Sequence, residues 1–209
     1  MKPVIRLVKP DDSEAILRIY APYVRNTTIS FETEVPSVFE FAGRIAETGS
    51  RFPYLVLTDS EAVVGFAYAA NHNVRRAYRF DANLSLYLDP AYQGSGIAAL
   101  FYSCFLDILR TLGYYTVYAI IALPNDRSVR FHQKFGFSCV GTFRNAGYKL
   151  GEWHDVLWMD KQINEIKADG IEPRDPLLIG DLSAEYLDSV FCEYASRIYA
   201  SRIYASRIH

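Results

Sequence analysis

The sequence predicts an α/β (α+β) fold, a mixed central sheet flanked by helices. Two observations carry this. Segments of period-two alternation and segments of helical periodicity intermix in the order β-α-α-β-β-β-α-β-α-β-β. Half of the 209 residues are apolar, 22% are charged and the net charge is −2, the profile of one globular domain with a proper core plus an appendage.

"VIRLVK" alternates and is a strand; Asp11 to Ser13 supply N-cap chemistry for a helix running to about Val24. Pro36 and Ser37 open a second helix, which Gly49 ends. "PYLVLTD" and "AVVGFAYAA" form a hairpin turning around Asp59 to Glu61. "ANLSLYLDP" is a strand stopped by Asp89-Pro90, with Leu84, Leu86 and Leu88 on one face and Asp81, Asn83, Ser85 and Tyr87 on the other. Gly94 to about Leu112 is helical, and Gly113 is its C-cap. "YYTVYAII" is wholly apolar, which predicts a central strand covered on both faces. Asn125 to Phe135 is a short helix, and "FSCVGTFRN" and "EWHDVLWMDKQI" form the last strand pair.

Beyond about Glu165 a Pro/Gly-punctuated linker leads to three copies of Tyr-Ala-Ser-Arg-Ile starting at Tyr194, Tyr199 and Tyr204. A five-residue repeat advances roughly 140° per copy around a helix, so the repeat by itself keeps no face apolar. Leu182, Tyr186, Leu187, Val190, Phe191 and Tyr194 do follow helical spacing and predict a helix docked on the domain or on a partner. The division expected is 1–166 for the domain and 167–209 for linker and helix.

The charge balance excludes a nucleic-acid or membrane-surface binder, and the absence of a leader or an apolar span predicts a cytoplasmic protein. Cys104, Cys139 and Cys192 suit neither a disulfide framework nor a metal knuckle; Cys104 and Cys139 are expected to be buried thiols, and no metal is expected.

"YQGSGIAAL" opens the third helix with glycines at 94 and 96. A dinucleotide loop would follow its strand directly and carry an acid about 20 residues on, and neither holds. A structural helix start and an anion-binding helix N-terminus both stay open on these residues alone. Gln93-Gly94-Ser95-Gly96-Ile97-Ala98 resembles the Gln/Arg-x-x-Gly-x-Gly/Ala signature of the GNAT N-acetyltransferase superfamily. "FETEVP", "AYAANHNVRRAYRF", "LPNDRSVRFHQKFGF" and "GTFRNAGYKLGEWHDV" are similar to the phosphinothricin and methionine sulfoximine N-acetyltransferase group, over roughly residues 3 to 163.

That resemblance implies a GNAT acyl-CoA N-acyltransferase fold and acetyl-CoA as cosubstrate. The 93–98 loop would hold its pyrophosphate, while Leu86, Tyr87, Leu88 and Asn125 contact the pantetheine arm. It implies acetyl transfer to the amino group of a small amino-acid-like substrate, and a homodimer. His132 stands where the group protonates the CoA sulfur, and an imidazole exchanges protons near neutral pH. Asn83 replaces the group's usual glutamate, and an amide is no base. Asp81, on the same face, could take over through a water, or the substrate could differ; the alternative is a CoA-binding protein with lost or redirected catalysis. Arg75, the arginine matching the group, and Lys149 are expected at the substrate's anionic groups, with Phe31 and Tyr78 as walls. Arg76 and Arg79 extend the same basic run. Adjacent strand residues face opposite ways, so His154 and Asp155 are not expected to act together.

Overall fold

A computed structural model describes residues 3–206, with side chains described to residue 203. The elements are β1 (Pro3–Leu7), α1 (Ser13–Asn26), α2 (Val38–Gly49), β2 (Tyr54–Asp59), β3 (Ala62–Asn71), β4 (Asp81–Leu88), α3 (Ile97–Leu112), β5 (Thr116–Ala122), α4 (Asp126–Lys134), β6 (Ser138–Lys149), β7 (Glu152–Gln162) and α5 (Ala184–Ser206). Their order is the one expected, and the third copy of the pentapeptide lies partly outside the described residues. Local chemistry explains the boundaries. Ser37 and Glu40 form a capping box on α2, with Glu40 N–H donating to Ser37 Oγ at 3.2 Å. Ser60 and Glu61, both at positive φ, make the tight turn between β2 and β3. Asp12 precedes α1 but does not cap it; its carboxylate accepts from Arg6 and the Lys9 amide instead.

The seven strands lie in the order β1-β2-β3-β4-β5-β7-β6. β4 and β5 are parallel and every other pair is antiparallel. Their pairing stops early: Asp81, Ala82 and Asn83 face Thr116, Val117 and Tyr118, and beyond Asn83 the two strands diverge. The sheet is therefore split from one edge to its middle.

One face carries α3 and α5 over a core that includes Leu84, Leu88, Phe101, Phe105, Val117 and Met159. The other carries α1 and α2 over Phe66, Val56, Tyr54 and Tyr20. The helices α1 and α2 do not reach the far half of that second face, where Ile120 and Phe143 stay exposed. The expectation that β5 is covered on both faces is thus corrected. It is central, but Tyr118 and Ile120 line an open floor because no helix crosses from β3 to β7. Cys139 is corrected likewise: it is exposed on β6, the uncovered edge strand, whereas Cys104 is buried in α3 and burial pushes its thiol up to about 12.

The tail does not hang free. Leu187, Phe191, Tyr194 and Ile198, at steps of four, three and four, join the main core against α3 and β1. Ile198 is wholly buried, and Arg202 ion-pairs with Asp59 at 2.8 Å. The stretch of residues 164–183 that precedes α5 is held down by Arg76 and Arg79, which bind Asp175, and by Arg79 on Glu172 at 2.7 Å.

Candidate active site

The split between β4 and β5 is a cleft of about 260 Å³ that passes through the sheet. Leu84, Leu86, Ala119 and Ile121 bound it on the α3 side, and Ser85, Tyr87 and Ile120 on the other. Asp89 N–H donates to Val64 O of β3, so odd-numbered residues of β4 turn their backbone toward β3. The N–H and C=O of Leu86 and the N–H of Leu88 then point into the gap, while Leu88 O already accepts from Tyr23 Oη at 2.6 Å. Tyr87, expected to offer its backbone with them, pairs instead with Phe66 of β3 and contributes its ring.

At the mouth of the cleft, Gly94 and Gly96 have φ of +78° and +79°, so these positions need glycine for backbone conformation rather than for space. Gly96 caps α3 without a side-chain hydrogen bond, which leaves the helix's partial positive end facing outward. Ser95 Oγ donates to Tyr92 O at 2.6 Å and fixes the turn. Gln93 bridges the mouth: its Nε2 donates to Tyr23 Oη at 2.8 Å and its Oε1 accepts from Arg127 at 2.7 Å. Ile97 is buried as the first anchor of α3, and Ala98 lines the cleft. Asn125 caps α4 through Oδ1, which accepts from Ser128 N–H at 3.1 Å, and the residue lines the cleft wall.

His132 also lines the cleft, from α4. Its Nδ1 donates to Ser128 O at 2.9 Å, so the neutral ring presents an unprotonated Nε2. Burial lowers its pKa, outweighing the opposing pull of that hydrogen bond, and the ring stands neutral at pH 7. Beside it, 5.6 Å between ring centroids, Tyr102 is 1% exposed and its hydroxyl has no partner among the described residues. Sequence reading missed Tyr102 because it falls on the apolar face of α3 and is indistinguishable there from core.

On the opposite face a second hollow, whose lining includes Phe31, Glu32 and Val156, shares Ile29, Tyr87 and Ile120 with the cleft. A Cβ on Gly147 would lie 2.2 Å from the Phe31 ring, so this glycine makes room for it. Tyr78 is half exposed beside His72, ring centroids 5.6 Å apart. Arg75 is the one arginine of its run with no carboxylate partner among the described residues. Lys149 lies elsewhere than expected: it is 5% exposed and its ammonium donates to Ser30 O, so it pins the segment carrying Phe31 and does not face solvent. Asn83 Oδ1 accepts from His72 Nδ1 at 3.0 Å, and Asp81, two residues back, has its pKa raised by burial despite the nearby His72. His72 was not singled out from the sequence, since it sits in a loop without periodicity. His154 and Asp155 bind separate partners, Lys149 O and the Asn145 amide. Among the described residues no cluster of three potential metal ligands occurs.

A family profile described as an acetyltransferase (GNAT) domain matches residues 5–158. Phosphinothricin N-acetyltransferase of Streptomyces viridochromogenes is 35% identical over 74% of this chain and 85% of its own. An L-methionine sulfoximine/L-methionine sulfone acetyltransferase of Salmonella typhimurium is 28% identical over 78% and 96%. The crystal structure of a GNAT superfamily phosphinothricin acetyltransferase from Sinorhizobium meliloti in complex with AcCoA superposes with a TM-score of 0.75 at 30% identity, over 83% of this chain and 97% of that one. A split sheet with a glycine-capped helix end at its mouth, and these likenesses over about three quarters of the sequence, place the chain in the GNAT acetyltransferase family.

Proposed function

We propose that this protein is a cytoplasmic, acetyl-CoA-dependent N-acetyltransferase acting on the amino group of a small amino-acid-like compound of the phosphinothricin or methionine sulfoximine type. The observation that carries it is the cleft through the sheet, with the backbone of Leu86 and Leu88 aimed into it. That edge suits an amide-bearing pantetheine arm, the start of α3 with Gly94 and Gly96 suits a pyrophosphate, and the unengaged Tyr102 hydroxyl is a donor awaiting an acceptor in the wall. Bound acetyl-CoA supplies an activated acetyl group.

The chain's residues do the rest. The N–H of Leu86 or Leu88 polarises the thioester carbonyl. His132 accepts a proton at Nε2 from the attacking nitrogen and passes it to the departing sulfur, a shuttle that suits a ring buried in the neutral state. On the other face Phe31 and Tyr78 wall the amine, and Arg75 meets its anionic groups. Lys149 acts at one remove, by holding Ser30 and hence Phe31. A homodimer is part of this reading, supported by β6, an edge strand with Val140, Phe143 and Tyr148 exposed.

A thiol-release assay with acetyl-CoA over methionine sulfoximine, phosphinothricin and simple polyamines tests this. Turnover with the amino-acid analogues and none with polyamines is expected. Acetyl-CoA raising the melting temperature with no amine eliciting turnover would instead establish a binding protein.

A further inference from the structure

We infer that His72 is the general base of the acetyl transfer, taking the ammonium proton of the substrate on Nε2, with Asn83 as the residue that fixes its tautomer. The inference rests on the acetyltransferase reading above. Asn83 Nδ2 donates to Asn71 O at 3.4 Å, which turns Oδ1 toward His72; that oxygen, 3.0 Å from Nδ1, requires Nδ1 to carry the proton. The lone pair is then on Nε2, which has no hydrogen bond among the described residues. The ring is clamped: it stacks on Tyr118 with centroids 4.1 Å apart and meets the edge of Trp158 at 5.5 Å. This aromatic floor continues along β5 to Ile120, one of the residues shared by the cleft and the hollow beside it. His72 thus stands over Asn83 and Tyr118, the last pair before β4 and β5 diverge, on the face of β5 that also carries Ile120.

The titratable groups around it are Asp81 on β4, Tyr78 in the loop before β4 and Tyr118 on β5, which in turn neighbours Asp160 of β7. In the step, R–NH3+ gives one proton to Nε2, the freed nitrogen pair forms the C–N bond, and the C–S bond breaks. The second nitrogen proton goes to sulfur, and His72, half exposed, returns its proton to water.

The test compares wild type, His72→Gln, Asp81→Asn and His72→Gln/Asn83→Glu with acetyl-CoA and methionine sulfoximine, reading kcat/KM against pH and acetyl-CoA affinity. His72→Gln should lose roughly 100-fold or more in kcat/KM for the amine, keep its acetyl-CoA affinity and lose the acid limb of the profile. The double variant should recover turnover through the carboxylate, and Asp81→Asn should retain most of it. Turnover within twofold of wild type in His72→Gln with the acid limb in place, or loss of the limb in Asp81→Asn alone, would overturn the assignment. So would a His72→Gln protein that no longer binds acetyl-CoA. Wild type that turns over no amine at all would fell the acetyltransferase reading, and this one with it.

Discussion

Burial determines what His132 can contribute. Its pKa is lowered by burial, so the unfolded chain binds a proton there more readily than the native protein. Its contribution to stability is full above the ordinary imidazole value of 6.5 and falls as pH drops from there toward the lowered native value. Thermal melts between pH 8 and 5 should show wild type losing more than His132→Phe over that interval. In the shuttle role, His132→Ala should cut turnover by about 100-fold while acetyl-CoA affinity changes little; unchanged turnover would remove it from the mechanism. Gly147→Ala tests the opposite face. The new methyl would displace the Phe31 ring, raising the amine KM several-fold while leaving that of acetyl-CoA alone. At this scale the sequence exposed His132 and Gly96 through local motifs. The partner of Asn83 was hidden because only strand pairing brings the loop at residue 72 over Tyr118.

Among the elements, α5 shows how a repeat unsuited to amphipathicity still docks. Two buried positions precede the repeat and two, Tyr194 and Ile198, fall in its first copy, and Tyr194 Oη also donates to Asp107 of α3. Ile198→Ala should therefore cost about 2–4 kcal/mol, read as a lower chemical-denaturation midpoint. Periodicity located the first part of α5 but could not extend it, because a five-residue period carries no single face. The strands were legible for the converse reason, as alternation reports burial directly. β5 misled because an apolar run does not distinguish a face covered by a helix from one left open for a ligand.

For the molecule as a whole, the exposed edge of β6 continues the open floor, and it is the surface on which the proposed homodimer is tested: sedimentation should find wild type as a dimer and Phe143→Glu as a monomer that still binds acetyl-CoA, and a monomeric wild type would overturn the dimer. The split between β4 and β5 has a kinetic consequence too. A passage with a separate doorway on each side of a sheet lets each ligand come and go without the other blocking its way. Initial-rate lines should therefore intersect rather than run parallel, and new amines can be accommodated by remodelling one doorway alone.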